Sequence, residues 1–348
     1  MTDDILFERR GSAGLITLNR PQALNAVTYD MVLALRAQLD AWGHDPAITR
    51  VVIAAAGGRA FSAGGDIRAL YDLGCAGRHK EALQFWRDEY PLNVAIKNFR
   101  KPYVALIDGI VMGGGVGVSV HGSHRVAGDR FQFAMPEVGI GFFPDVGATW
   151  FLPRMPGELG TFCGLTGERF GSADAVAAGL ATHRVPSARF DALLDGLTGT
   201  VSVDALLAAF AEPAGEGAII ERRGAIDRLF TGSKVEDILA ALERETGDEA
   251  DWARKTAATV RSKSPLSLKL ALAQVRRGKA WDFETCMRAE FRIVSRVIHG
   301  SDFYEGVRAV IVDKDNKPRW QPSTLAEVSV AEVERHFATL GADELVLP

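Results

Sequence analysis

Residues 103–117 read YVALIDGIVMGGGVG, and the fold class follows from the pattern of this segment. Residues 103–108 are mostly apolar and predict a strand buried on both faces, as in a parallel sheet. The glycine cluster at residues 113–115 follows, and an apolar segment with helical character begins there. Residues 51–56 (VVIAAA) repeat this pattern, because they are continuously apolar and Gly64-Gly65 comes after them. Two strands that each lead into a glycine turn and a helix indicate an α/β core.

The same organisation extends outward from these two strands. Residues 14–18 (GLITL) predict a short strand that ends before Pro21, since proline cannot continue a ladder of hydrogen bonds. Residues 28–42 carry apolar side chains at helical spacing, and Thr28 is a suitable N-cap. The alternation of strand, turn and helix continues to about residue 186.

Beyond about residue 200 the composition changes to helix-forming and charged residues. The segments 203–260 and 265–310 predict helices only, and 313–322 is polar and irregular. We therefore divide the chain into an α/β core that carries the active site, residues 1–200, and a helical C-terminal region that packs on it, residues 201–348.

The overall composition excludes several classes of protein. The chain has 348 residues, of which 47% are hydrophobic, so it can bury a large core. Its net charge is −4 and no basic block occurs, which argues against a nucleic-acid partner. No apolar run has transmembrane length, so no membrane partner is expected.

The N-terminal residues and the cysteines bear on the cellular compartment. The sequence begins MTDDILFERR, which is acidic and lacks the apolar core of a signal peptide or the acid-poor composition of a transit peptide. We therefore expect a cytoplasmic location. The three cysteines are odd in number and far apart, so neither a disulfide framework nor a zinc site is expected.

The two glycine turns are the first candidates for chemistry. The motif FSAGGDI at 61–67 and the motif MGGGVGVS at 112–119 each follow a strand, and small residues let a backbone approach a ligand closely. The second motif fits neither a dinucleotide fingerprint nor a phosphate loop. Taken singly, the first motif is better explained by a tight turn in which Asp66 is an N-cap, and the second by packing or a turn. Together, the two glycine turns can direct two backbone N–H groups toward one oxygen atom and form an oxyanion hole.

Two acids lie in the apolar segment MPEVGIGFFPDVG at residues 135–147. Burial of Glu137 and Asp145 in such surroundings would raise their pKa values and make acid–base chemistry feasible near neutral pH. The alternatives are that Asp145 caps a following helix and that Glu137 is a solvated loop acid.

A third acid, Glu89, is predicted on the apolar side of a helix that starts near His79. Phe85 and Trp86 precede it at helical spacing, although Pro91 is able to kink or end the helix. A carboxylate there is costly unless it is partnered or used, so the alternative is an ion pair with Arg87 or Arg100. The remaining polar candidates, His121, His124, Ser62 and Ser119, lack the context of a metal site or a nucleophile, and we interpret them as structural.

Taken together, these motifs resemble the crotonase (enoyl-CoA hydratase/isomerase) superfamily. The segments that carry the resemblance are SAGGD at 62–66, GIVMGGGVG at 109–117, AMPEVGIG at 134–141 and TGERFGSADAVAAGLATHRVP at 166–186. The resemblance implies a spiral of repeated ββα units with a helical C-terminal region. It also implies acyl-CoA thioester substrates whose carbonyl oxygen is held by the N–H groups of Gly65 and Gly114.

The branch of the superfamily follows from which acids are present. Hydratases of this superfamily use two glutamates, and the first of them falls here on Gly117, whereas the second is Glu137. The segment FFPDVG, with Asp145, resembles 3-hydroxyisobutyryl-CoA hydrolases, thioesterases of valine breakdown. Further matches to this branch are DEYPLN at 88–93, KPYVALIDGIVMGGGVGVSVHG at 101–122, SPLSLKLAL at 264–272 and HGSDFYEGVRAVIVDKDNKPRW at 299–320.

This resemblance implies a role for each matching position. Glu137 is the nucleophile or the general base, Asp145 the second catalytic carboxyl, and Gly65 and Gly114 the oxyanion donors. Substrate contacts are expected from Glu89, Gly114, Glu137 and Asp145, and from the residues that flank Gly65, namely Ala63, Asp66 and Ile67. No metal or cofactor is expected, because CoA is part of the substrate.

Other functions compatible with the residues are an enoyl-CoA hydratase or isomerase that uses Glu137 alone, and a non-catalytic acyl-CoA-binding protein. The partner is in each case a small acyl-CoA molecule, whose phosphates have Arg20, Arg59 and Arg68 as candidate ligands. A homo-oligomer is compatible with the resemblance, although the C-terminal region can equally cover the surface that oligomers of the superfamily use.

Overall fold

A computed structural model describes residues 3–348. Nine strands form two sheets within these residues. Their bounds are β1 Ile5–Arg10, β2 Ala13–Leu18, β3 Arg50–Ala55, β4 Ala60–Ser62, β5 Tyr103–Ile107, β6 Ile110–Met112, β7 His124–Ala127, β8 Gln132–Ala134 and β9 His183–Arg184. The three strands predicted at 14–18, 51–56 and 103–108 are confirmed as β2, β3 and β5, each within one residue at either end.

The larger sheet has the order β1-β2-β3-β5-β7-β9, and the smaller sheet has the order β4-β6-β8. Among the strand pairs of residues 3–348, β1–β2 is antiparallel and the others are parallel. Strand β5 is buried along its whole length, as its apolar sequence predicts for a parallel strand covered on both faces.

The chain repeats one unit three times. In each unit the first strand joins the large sheet and the second joins the small sheet, and a helical segment follows: β3–β4, β5–β6 and β7–β8. The register aligns successive units, with Val51 opposite Tyr103 in the large sheet and Val111 opposite Phe133 in the small sheet. This is the spiral of ββα units that the sequence motifs imply.

Helices account for most of the rest of the chain. Their bounds are α1 Tyr29–His44, α2 Ile67–Cys75, α3 His79–Lys97, α4 Gly114–Gly117, α5 Ala148–Phe151, α6 Leu159–Thr166, α7 Ser172–Ala177, α8 Phe190–Leu197, α9 Val203–Phe210, α10 Ala218–Glu221, α11 Arg223–Leu229, α12 Val235–Arg244, α13 Ala250–Arg261, α14 Pro265–Gly278, α15 Phe283–Val297, α16 Asp302–Val307 and α17 Val330–Phe337. Short 3-10 helices include Glu137–Ile140, and a π-helical turn spans Arg308–Val312.

In two helices, single residues bear on where the helix begins or how far it extends. The Thr28 hydroxyl accepts a hydrogen bond from the N–H of Met31 at 3.3 Å and caps α1, as predicted. Helix α3 continues six residues beyond Pro91 to Lys97. The register of α3 is therefore kept through the proline, and Glu89 lies among buried apolar neighbours.

The core is shared by the two regions that we distinguished in the sequence. One large hydrophobic cluster includes side chains from β1 through to Leu345, among them the buried faces of α14 and α15. A smaller cluster lies where α8 and α9 cover the other face of the large sheet. The division at residue 200 stays a prediction. No helix in residues 3–348 is both long and apolar enough to cross a bilayer.

Candidate active site

A cavity of about 640 Å³ lies where the small sheet, α3 and the segment after β8 meet. All eight residues that we predicted as catalytic or substrate-binding line it: Ala63, Gly65, Asp66, Ile67, Glu89, Gly114, Glu137 and Asp145. Apolar side chains such as Phe85, Trp86 and Phe142 cover most of the remaining wall. A largely apolar cavity with a few convergent polar groups is typical of small-molecule sites.

The two glycine turns face each other in this cavity. Gly64 (φ +122°) and Gly113 (φ +44°) adopt backbone angles that side chains disfavour, which is why both turns need glycine. A Cβ atom placed on Gly114 would lie 3.0 Å from the Gly65 nitrogen, so the two backbones approach closely. Within residues 3–348, no protein acceptor receives the N–H of Gly65 or Gly114. Both are free to donate to a ligand oxygen.

Glu137 begins the short 3-10 helix after β8, and it is buried. Its Oε2 atom has no hydrogen-bond partner among the described residues, and its Oε1 atom lies 3.3 Å from where a Cβ of Gly113 would be. Burial, and secondarily the charge of Asp145, raises the pKa of Glu137 well above its ordinary value. The alternative interpretation of Glu137 as a solvated loop acid is therefore wrong, because the residue is buried.

Asp145 is also buried, and its Oδ2 atom accepts a hydrogen bond from the Tyr90 hydroxyl at 3.0 Å. Burial raises the pKa of Asp145 to about 7, and the Tyr90 hydrogen bond opposes that rise. The predicted alternative, an N-cap, is wrong, because α5 begins at Ala148 and its cap position is Gly147. The Asp145 side chain is thereby left facing the cavity.

Glu89 lies on α3 with 1% of its surface exposed. Its Oε1 atom has no partner within the described chain and lies 2.9 Å from where a Cβ of Gly114 would be. Burial, followed by the charges of Asp145 and Glu290, raises the pKa of Glu89 well above its ordinary value. No ion pair between Glu89 and an arginine occurs among residues 3–348, and the alternative that paired it with Arg87 or Arg100 is wrong.

The structure adds one acid that sequence reasoning missed. Glu290 on α15 is fully buried, and burial raises its pKa to about 8. Its spacing from Met287, Ile293 and Val294 places it on the apolar face of α15, which is the same signal that singled out Glu89. That pattern was available in the sequence, but no motif drew attention to it.

Gly117, where hydratases of the superfamily carry a glutamate, has no room for a side chain. A Cβ atom there would lie 2.9 Å from Asn93 Nδ2 and 2.9 Å from Val146 Cβ. Asn93 is fully buried and both of its polar side-chain atoms lack partners among the described residues. The side chains of α3 and of the Asp145 segment therefore occupy the space of the missing glutamate.

The other predicted residues have mainly structural contacts. Asp66 caps α2 by accepting the Ala69 N–H at 3.3 Å, and it pairs with Arg20 at 3.3 Å. Of the three arginines considered for CoA phosphates, Arg68 alone lines the cavity, together with the cation Lys263. Within residues 3–348, no group of three or more His, Cys, Asp or Glu side chains is arranged to hold a metal ion.

The family is decided by a match that spans nearly the whole chain. Residues 13–337 match the model of the enoyl-CoA hydratase/isomerase family. The chain belongs to this family. Its relatives include the mitochondrial 3-hydroxyisobutyryl-CoA hydrolase of Danio rerio, 45% identical over 99% of this chain and 92% of that protein. The Homo sapiens protein of the same name is 41% identical over 99% and 90% of the two chains.

Solved structures of the enoyl-CoA hydratase/isomerase family confirm the fold. A structure titled carnitinyl-CoA dehydratase from Mycobacterium thermoresistibile matches with a TM-score of 0.94, at 42% identity and 99% coverage of both chains. A structure titled enoyl-CoA hydratase from Rhodobacter sphaeroides matches with a TM-score of 0.93, at 41% identity over 99% of this chain and all of that one. The predicted α/β spiral with a helical C-terminal region is therefore confirmed.

The relatives also correct one prediction. The proteins from Danio rerio, Xenopus laevis, Gallus gallus and Homo sapiens are all named as mitochondrial. The predicted cytoplasmic location is therefore wrong. It was inferred from the composition of the first ten residues alone, which says little about where a folded protein works.

Proposed function

We propose that this protein hydrolyses the thioester bond of 3-hydroxyisobutyryl-CoA, releasing 3-hydroxyisobutyrate and CoA. The observation that carries the proposal is the set of acids around the glycine turns: Glu137 and Asp145 face the cavity, while position 117 has no acid and no space for one. The names of relatives that are 39–45% identical over nearly the full chain support the same reaction.

The free N–H groups of Gly65 and Gly114 are proposed to hold the thioester oxygen. Negative charge develops on that oxygen as the carbonyl carbon is attacked, and two backbone donors in an apolar cavity stabilise it. One donor of this kind is worth about 2.7–4 kcal/mol of barrier. The close approach of the two turns supports this role, since one atom can contact both donors.

Glu137 is proposed to drive the attack. As a nucleophile, its carboxylate bonds to the carbonyl carbon, the C–S bond breaks, and water then cleaves the mixed anhydride. As a general base, it takes a proton from water, whose oxygen attacks the same carbon directly. In the nucleophilic route water adds to the Glu137 carboxyl carbon of the anhydride, so a Glu137 oxygen leaves with the acid product and the water oxygen stays on Glu137. In the general-base route the water oxygen enters the acid product directly. In both routes water supplies the proton of the CoA thiol. Asp145 is proposed to deliver a proton to the leaving sulfur. It takes that proton from the attacking water in the nucleophilic route and from Glu137 in the general-base route.

Glu89 is proposed to bind the hydroxyl group of the acyl chain. Its unpartnered Oε1 atom lies beside the Gly114 position, where the acyl group of a bound thioester would lie. The surrounding Phe85, Trp86 and Phe142 offer apolar surface to the carbon skeleton of a short branched acyl group.

The reaction proposed needs no metal and no redox cofactor, because a thioester is already an activated acyl group. The acyl-CoA molecule is the partner proposed, with Arg68 and Lys263 at the cavity as candidate ligands for its phosphates. Assembly into a homo-oligomer stays part of the proposal, and sedimentation of the purified chain tests it.

The test of the proposed reaction is thiol release from 3-hydroxyisobutyryl-CoA. We expect steady turnover by the unaltered protein and a loss of at least 1,000-fold with Glu137→Gln, since loss of a group central to covalent or acid–base catalysis typically costs about this much. Turnover in heavy-oxygen water then separates the two routes, because label enters Glu137 only through the anhydride. Unchanged hydrolysis by Glu137→Gln contradicts the assignment.

A second candidate function is hydration of an enoyl-CoA with Glu137 alone. The titles of the two solved structures above favour it, since they name a dehydratase and a hydratase. An ultraviolet assay with crotonyl-CoA, run beside the thiol assay, separates the two reactions. Loss of the enoyl absorbance without thiol release would establish the hydratase. Binding of acyl-CoA with neither reaction would establish the third alternative, a non-catalytic protein.

A further inference from the structure

The turn that carries Asp145 is strained and is held by buried side chains from elsewhere in the chain. Val146 has φ +51°, a left-handed conformation that a β-branched residue avoids. Such a conformation costs about 1–3 kcal/mol and persists only where the surroundings enforce it. Because Val146 follows Asp145 directly, relaxation of its backbone would redirect the Asp145 carboxyl group.

Glu290 makes the most complete of the contacts that enforce this turn. Its Oε2 atom accepts the N–H of Gly147 at 2.8 Å, and its Oε1 atom accepts the N–H of Thr149, also at 2.8 Å. Both distances are those of well-formed N–H···O hydrogen bonds, and each bond satisfies a backbone donor of the turn. A single side chain thus holds the backbone on the C-terminal side of the strained residue, through contacts that span 143 and 141 positions of the chain.

Two other buried side chains complete the support. Gln274 on α14 donates from Nε2 to the Pro144 carbonyl at 2.9 Å and to the Thr149 hydroxyl at 2.8 Å. The His121 ring lies with Nε2 2.7 Å from the Val146 carbonyl oxygen. The turn is therefore held on both sides of Asp145, and the two supports that come from α14 and α15 belong to the C-terminal helical region.

We propose that Glu290 is a positioning residue, which holds the Pro144–Thr149 turn so that Asp145 faces the cavity beside Tyr90. This inference rests on the proposed thioester hydrolysis, because it assigns Glu290 to the geometry of that reaction. Glu290 does not line the cavity, so it acts through Asp145 and has no contact with substrate. Replacement by Gln leaves one of the two N–H groups facing an amide NH2, and replacement by Ala leaves both without this acceptor. Val146 is then free to leave its left-handed conformation.

The chain offers a matched control for this role. Asp174 is also a buried carboxylate that accepts two backbone N–H groups, those of Ile219 and Ile220, at 3.0 and 3.1 Å from Oδ1. The segment it holds does not line the cavity. Asp174→Ala and Glu290→Ala therefore remove the same type of contact, but only Glu290→Ala affects the turn that carries Asp145.

The experiment measures kcat and KM for thiol release with Glu290→Ala, the near-isosteric Glu290→Gln and Asp174→Ala. We expect both Glu290 variants to lose about 10–100-fold in kcat, with KM within about threefold of the original value, because misplacement of a catalytic group by about 1 Å costs up to about 100-fold. Asp174→Ala should keep the original kcat, although its unfolding temperature falls. Original kcat values in Glu290→Gln, or equal losses in Asp174→Ala, overturn the proposal.

A crystal structure of Glu290→Gln separates this inference from the proposed reaction. We expect the Tyr90–Asp145 hydrogen bond to be broken and Val146 to leave its positive φ. An unchanged turn overturns the inference, whatever the activity. If the unaltered protein releases no thiol while the turn still moves in Glu290→Gln, the proposed reaction fails and the positional role of Glu290 stands.

Discussion

The Tyr90 hydroxyl donates a hydrogen bond of 3.0 Å to Asp145 Oδ2, and both groups are buried. Tyr90 is the residue after Glu89 on α3, whereas Asp145 belongs to the turn after β8. This bond therefore ties the helix that presents one acid of the cavity to the turn that presents another. The loss of this hydrogen bond should therefore be measurable.

We expect Tyr90→Phe to lower kcat by about 10–100-fold, since a hydrogen bond to a charged group is worth about 1.5–3 kcal/mol. Thiol release at saturating substrate is the measurement. Tyr103→Phe is the matched control, because the Tyr103 hydroxyl is equally buried and donates at 2.9 Å to the Val118 carbonyl, away from the cavity. Equal losses in both variants would show that the effect is one of folding.

The rate of hydrolysis should rise with pH through about 7. Both proposed roles require an ionised carboxyl group, and burial raises the pKa of Asp145 to about 7 and that of Glu137 well above its ordinary value. Because the two acids interact, the transitions belong to the pair. Asp145→Asn should lower the plateau of the kcat profile and remove the transition near 7. A rate that falls with rising pH across this range contradicts the roles assigned.

The buried acids should also make stability depend on pH. Asp145 has a higher pKa in the folded state than in the unfolded chain, so the folded state binds its proton more tightly. The free energy of unfolding therefore decreases as pH rises from about 4 to about 7. Asp145→Asn removes this cost, and we expect it to raise the melting temperature by a few degrees at pH 8 and by less at pH 4. Thermal unfolding monitored at both pH values tests this, and a loss of stability at pH 8 contradicts it.

Gly117→Glu should fail to produce a hydratase. The new side chain would displace Asn93 and Val146, and overpacking of this kind typically costs about 1–3 kcal/mol. We expect a lower melting temperature, weaker thiol release because Val146 adjoins Asp145, and no gain in crotonyl-CoA hydration. Gly224→Glu is the control, since Gly224 is exposed and has no atom within 4 Å of its added Cβ. If Gly117→Glu hydrates crotonyl-CoA as fast as the unaltered protein releases thiol, the space beside position 117 accommodates the new side chain and this prediction is wrong.

Local sequence was sufficient for part of the fold. Strands β2, β3 and β5 are short apolar runs, and α1 has its periodicity and its Thr28 cap, so each follows from neighbouring residues alone. Strand β1 was not predicted, because its outer face is exposed and its sequence, ILFERR, is half charged. Residues Ile5–Arg10 form a strand because they pair with β2 in the sheet.

The candidate site was predictable where a motif marks it and not elsewhere. Glu137, Asp145 and the two glycine turns stand in short segments of unusual composition, and the structure brings them to one cavity. The alternatives for Glu137, Asp145 and Glu89 could be rejected only from burial and contacts, because a solvated acid, a cap and an ion pair have the same local sequence. The role of Glu290 depends on contacts that span 143 and 141 positions of the chain, and sequence spacing does not reveal such contacts.

The amino-acid sequence was enough to establish the order of strands, glycine turns and acids along the chain, and with it the family. Which groups stand together became known from the folded structure: Tyr90 bonds Asp145, Glu290 bonds the turn after it, and Asn93 and Val146 fill the space beside Gly117. Strand and helix propensities act between near neighbours. The environment that raises the pKa of a buried carboxyl group is instead assembled from helices that are distant in the chain and meet only when the core packs.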